Sequence, residues 1–201
     1  MADALIGLIA LPLAGALATL LLPRWKTATA IGTGLASTVA AGLLLFGVAT
    51  QGALHYEIGG WSAGLGIALR ADGLSALLLM MTALVALAAS IYASAYFNAA
   101  SERARFWPLW LLLWTALNAL LLSGDLFNLY VTLELLGLSA VALASLGGKQ
   151  AAVAAALRYL LVGLLGSMMF LAGVSLLYAG YGTLDLAALS HMVAPGPIAW
   201  T

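Results

Sequence analysis

The sequence predicts an all-α, polytopic integral membrane protein with six transmembrane helices. Of its 201 residues, 65% are hydrophobic and only 7% are charged, against roughly 25% charged in a soluble globular domain. The apolar residues fall into six runs near the length of about 20 residues that a spanning helix needs. Short breaks holding Gly, Pro, Asp, Lys or Arg separate those runs. Composition also narrows the function classes. The net charge is zero, which gives no reason to expect a nucleic-acid partner. There is no cysteine, which excludes disulfides and thiolate metal sites. His55 and His191 lie far apart in polar segments and form no metal-binding pattern, and no Gly-rich phosphate loop is present. No metal and no cofactor are therefore expected.

The first span is read over Ala4–Leu22. No Lys or Arg precedes it and Asp3 is its only early charge, so it is taken as a helix rather than a cleaved leader. Pro12 is expected to kink it, since proline removes a backbone donor. The second span is Ala28–Thr50. Gln51–Ala71 is a polar interlude, and its alternation from Tyr56 to Leu69 predicts a short surface hairpin. Gly73–Tyr92 is the third span, followed by a charged loop over Tyr96–Phe106. Trp107–Leu122 is the fourth, and Ser123-Gly124-Asp125 turns tightly into the fifth, Leu126–Leu146. The sixth, Ala151–Ala179, is long and contains Arg158. A looser tail with Pro195 and Pro197 follows from Gly180. The chain reads as one transmembrane domain.

Positive charge gives the orientation. Arg24, Lys26, Arg103, Arg105 and Lys149 fall in loops on one side, and Arg70 alone falls on the other. The positive-inside rule places the first set in the cytoplasm and both termini outside. The small-residue spacings Gly34-x-x-x-Thr38 and Gly163-x-x-x-Ser167 fit close helix packing. Trp25, Trp61 and Trp107 lie near predicted boundaries, as interfacial anchors do.

Glu134 stands apart, because it sits near the middle of the fifth span. A charge at that depth costs about 2.5–3.5 kcal/mol on insertion scales, so such a group is kept where it is shielded, paired or used. Nine residues past Asp125, it lies about 13 Å down the helix, on a face shared with Phe127, Tyr130, Gly137, Val141 and Ser145. It is expected to point into the bundle. On the returning sixth helix, Arg158 comes within about 5 Å of the same depth. Arg158 is thus the expected charge partner, either in a proton or ion path or in a structural ion pair. Asn118 on the fourth helix and Asn128 on the fifth are supporting polar groups. Asp72 and Asp125 each begin a helix, where a carboxylate caps and complements the dipole.

The run Asp-Leu-Phe-Asn-Leu-Tyr-Val-Thr-Leu-Glu-Leu at 125–135 closely resembles the fifth helix of the antiporter-like subunits of respiratory complex I and the Mrp cation/proton antiporters. The likeness continues through Ala-Leu-Arg-Tyr-Leu-Leu at 156–161, the segment 166–178, Gly-Thr-Leu-Asp at 182–185 and Asp-Gly-Leu-Ser-Ala-Leu at 72–77. Within that family the chain looks most like the Mrp D subunit, with complex I and hydrogenase membrane subunits close behind. The resemblance implies a fold of about fourteen helices, of which this chain carries the N-terminal part. It implies proton movement coupled to sodium export or to redox chemistry elsewhere, in a cell inner membrane, with other membrane subunits, the lipid bilayer, protons and Na+ as partners. It implies that Glu134 binds the proton and that Arg158 modulates its charge. The family pairs that glutamate with a lysine on a broken seventh helix. This chain ends at Thr201 and has no lysine after Lys149, so the expectation is a fragment or split-gene product that does not complete transport alone.

Overall fold

The computed structural model describes residues 2–58, 66–97 and 99–193. Seven helices and one hairpin make up those residues: α1 (Ala2–Leu21), α2 (Lys26–Gln51), β1 (Leu54–Glu57), β2 (Ala68–Ala71), α3 (Gly73–Tyr96), α4 (Ala100–Leu122), α5 (Leu126–Ala144), α6 (Gln150–Tyr181) and α7 (Leu186–Met192). Helices α1 to α6 are each long and apolar enough to cross a membrane.

Helix α4 is the axis of the fold. It packs against α1, α2, α3 and α5, whereas α6 packs mainly against α5. Half of the α4 span is buried but only 6% of the α6 span, so the outer face of α6 is bare. Small residues let the central helices approach. A Cβ on Gly34 of α2 would sit 3.3 Å from both Leu87 of α3 and Trp114 of α4. One turn on, Thr38 returns its hydroxyl to the Gly34 carbonyl at 2.8 Å.

One cross-helix hydrogen bond answers a proline. Pro12 lies inside α1 and has no N–H, which orphans the carbonyl of Leu8 one turn earlier. Asn118 of α4 reaches across and donates Nδ2–H to that carbonyl at 2.7 Å. Leu8 and Asn118 are both almost fully buried, where an unpaired polar group is expensive.

At the end of the bundle where α4 turns into α5, three segments lock together. Strands β1 and β2 pair antiparallel, with His55 opposite Arg70 and Tyr56 opposite Leu69. Gly124 donates its N–H to the Ala68 carbonyl at 2.8 Å, and a Cβ on Gly124 would lie 3.0 Å from that oxygen. The Asp125 carboxylate accepts from the N–H of Ala68 at 3.1 Å through one oxygen and from that of Asn128 at 2.7 Å through the other. The segment before α7 joins in, with Leu126 donating to the Leu184 carbonyl and Leu186 to that of Gly124, both at 3.0 Å.

Three local expectations need correction. The charged stretch before Phe106 is helical from Ala100, so most of the expected loop is the first turns of α4. Glu102, Arg103, Ala104 and Arg105 are good helix formers, and Glu102 in the first turn complements the dipole. Trp107 is fully buried and donates Nε1–H to the Thr27 hydroxyl at 3.2 Å; it ties α4 to the start of α2 rather than anchoring at an interface. The tail is not uniformly loose, because Asp185 accepts from the N–H of Ala188 at 2.7 Å and caps α7. Trp25 is 66% exposed, as an interfacial residue is. Trp61, Pro195 and Pro197 lie outside the described residues.

Candidate functional site

Glu134 occupies a groove between α5 and α6. Tyr130, Gly137 and Val141 line it from α5, at the spacing that puts them on the Glu134 face. From α6 come Tyr159, Gly163, Ser167 and Phe170, again every three to four residues. Tyr130 and Phe170 stack across one end with ring centroids 6.5 Å apart. The glycines on both walls leave the space between the helices open. The groove encloses about 290 Å³, room for several waters at about 30 Å³ each.

Glu134 is half-buried. It faces this peripheral groove rather than the α1–α4 core, which corrects the expectation that it points into the bundle. The reason lies in helix phase. The buried face of α5 is made by Asn128, Thr132 and Ser139, and Glu134 lies two residues, about 200°, around the helix from Thr132. The polar residues of α5 thus divide into two sets, one packed on the core and one set on the groove.

Arg158 does not join Glu134. Arg70 and Asp72 form an ion pair at 3.7 Å, half-exposed; among the described residues no salt bridge links Glu134 to Arg158. The two residues match in depth but not in azimuth. Arg158 precedes the groove residue Gly163 by five positions, about 140° around α6. It is exposed on the bare face. A guanidinium at that depth is costly against lipid.

The other polar candidates have local partners. Asn118 serves the Leu8 carbonyl, while its Oδ1 has no hydrogen-bond partner. Asn128 donates Nδ2–H to the Ser123 hydroxyl at 2.9 Å, bracing the α4–α5 turn. Asp125 caps α5. Asp72 caps α3 in a reciprocal box with Ser75, accepting the Ser75 N–H at 2.9 Å. That N–H bond, with lesser help from the Ser75 hydroxyl and Arg70, holds the Asp72 carboxyl below its usual range against the opposing effect of burial. None of these four lines the Glu134 groove.

Tyr159 and Ser167 are site residues that sequence reasoning misses. Their signal is a spacing of four through Tyr159, Gly163 and Ser167. In sequence Gly163 and Ser167 look like a packing pair, and in the structure they shape one wall of the Glu134 groove. A carboxylate among hydroxyl-bearing side chains, in a groove large enough for water, can accept and release a proton and pass it along a water chain.

Comparison with known proteins gives the same direction. A family model described as NADH:quinone oxidoreductase/Mrp antiporter, TM, matches residues 123–201. The chain is 40% identical over 143 residues to the N subunit of the NADH-quinone oxidoreductase of Desulforudis audaxviator, covering 70% of this chain and 28% of that protein. It is 35% identical over 156 residues to the D subunit of the Na(+)/H(+) antiporter of Bacillus subtilis, covering 78% of this chain and 32% of that one. The fold matches a chain of the Mrp complex structure from Dietzia sp. with a TM-score of 0.85 and 30% identity, over 94% of this chain and 36% of that chain. The chain thus spans about a third of the length of the relatives it matches.

Proposed function

Because the chain belongs to the antiporter-like subunit family of complex I and the Mrp antiporters, we propose that it serves as a proton-translocating membrane subunit of a multisubunit Na+/H+ antiporter of the Mrp D kind. The observation that supports this most is the Glu134 groove, a mid-span carboxylate facing a water-sized space beside hydroxyl-bearing side chains. Glu134 is the proton-binding group. Tyr130, Tyr159 and Ser167 bound the space in which water reaches it.

The bare outer face of α6 supports the assembly part of the reading. Arg158 stands on that face, and a charge there calls for polar or anionic company that the described residues do not supply. Another membrane segment of the complex covers it. The relatives named as antiporter subunits favour other membrane subunits as the partners. A second reading is a proton-pumping arm of an NADH dehydrogenase or membrane-bound hydrogenase, and the D. audaxviator relative, named as a subunit of an NADH-quinone oxidoreductase, supports the first of these. Sodium-dependent acidification in vesicles carrying the complete assembly separates the two: the antiporter reading expects it without any electron donor, and acidification only on adding a reductant would favour the second.

The proposed location is the cell inner membrane with the N-terminus outside. It rests on five basic residues in loops or first helical turns at one end of the helices against Arg70 at the other. Single cysteines at Lys149 and at Gln51, in a protein that has none of its own, are expected to label from opposite sides of intact cells, the second from outside. Labelling of both from outside would contradict the orientation.

A further inference from the structure

We propose that the cleft between the α1–α2 turn and the start of α4 binds the phosphate of an anionic phospholipid. The cleft measures about 580 Å³, and it is lined by Arg24 and Lys26 from the turn, by Arg103 from α4, and by Trp25, Thr27 and Ala28. Three cations from two separate segments meet around one space. No carboxylate is among the described residues that line it.

Its position selects a lipid. The cleft lies where α1 ends and α2 and α4 begin, at the edge of the membrane-spanning region. Beside it the α1 surface is apolar and exposed, with Leu20 at 59% and Leu21 at 79%. Trp25 projects at 66% exposure, in the manner of an indole at headgroup level. A bound lipid would lay its acyl chains along those leucines and its phosphate among the cations. Basic pockets between spanning helices hold anionic headgroups in this manner.

The cleft is also built to last. Trp107, fully buried in α4, donates to the Thr27 hydroxyl and fixes the first turn of α2 against α4. Trp25 gives α2 no side-chain cap, so the positive end of the α2 dipole beside the cleft is not offset by a capping side chain.

The test titrates the purified full chain in detergent with phosphatidylglycerol and counts bound lipid by native mass spectrometry. Arg24→Gln/Lys26→Gln is expected to weaken binding roughly 30-fold, at about 1 kcal/mol per cation removed and about 1.4 kcal/mol per tenfold. Ala28→Trp keeps every charge and fills the cleft from an exposed position; it is expected to lose the lipid as well. Arg105, which does not line the cleft, is the control, and Arg105→Gln should bind as wild type. Thermal unfolding of each variant checks that it is folded. Unchanged binding in the double variant and in Ala28→Trp, or an equal loss in Arg105→Gln, overturns the proposal. Displacement of the lipid by millimolar glycerol phosphate would also overturn it, since the ligand would then be a soluble phosphate.

Discussion

Glu134→Gln, introduced into the complete assembly, is expected to bring sodium-dependent proton movement down to the level of vesicles lacking the complex. The substitution is nearly isosteric, so the groove walls and the Tyr130–Phe170 stack should persist. What it removes is the one carboxylate inside the described spans that lines the groove. The loss should be at least about a hundredfold, the low end of what a positioned proton-transfer group contributes. Glu134→Asp, shorter by one methylene, should retain part of the rate. Arg158→Gln should behave differently, because Arg158 faces away from the groove: the pH profile should stay in place while less of the chain enters the complex on a native gel. Normal transport by an assembled Glu134→Gln complex would make the carboxylate structural. A shifted pH profile in Arg158→Gln would mean that assembly brings the two charges together.

Asn118→Leu is expected to lower the stability of the chain by about 1–3 kcal/mol, the cost of a buried polar group left unpaired. Measured interhelical hydrogen bonds in bilayers average about 0.6 kcal/mol and reach about 1.7. The upper part of the range is expected here, because the Leu8 carbonyl has no fallback. Pro12 cannot supply the N–H that would close the turn, so losing Asn118 orphans a carbonyl in the core. The same reasoning predicts a strong coupling. Pro12→Ala restores that N–H, and in its background Asn118→Leu should cost much less. Reversible unfolding of the four proteins in mixed micelles gives the coupling. Equal costs of Asn118→Leu in both backgrounds would show that the Asn118–Leu8 bond is not a response to the proline.

The helices are legible in the sequence because the bilayer simplifies the problem. Unpaired backbone is too costly in hydrocarbon, so an apolar run of sufficient length must be helical. The boundaries are less so. Ala100–Arg105 looks like a loop by charge, yet its residues extend α4 beyond the apolar run. Capping by Asp72 and Asp125 can be read from position alone. The partner of Asn118 cannot, although both halves of the bond are visible: a proline that frees a carbonyl in α1 and an amide near the end of α4. Linking them requires knowing that α1 and α4 are neighbours, which a linear reading does not supply.

The candidate site divides along the same line. Glu134 is conspicuous as a charge in an apolar run, and Tyr130, Gly137 and Val141 follow from helix period. The expected pairing with Arg158 uses the 1.5 Å rise and leaves out the 100° rotation. The structure supplies the phase: Tyr159, Gly163 and Ser167 form the facing wall, and Arg158 lies about 140° around α6 from Gly163.

The central claim, that Glu134 takes up and releases a proton, is tested most directly by infrared difference spectroscopy of the complete assembly in lipid, between alkaline and acidic buffer. The expected result is a carboxylic-acid carbonyl band that grows on acidification, shifts on exchange into D2O, and is missing from the Glu134→Gln protein. A band that persists unchanged in Glu134→Gln, or none in the wild-type complex across the pH range in which it transports, would contradict the claim.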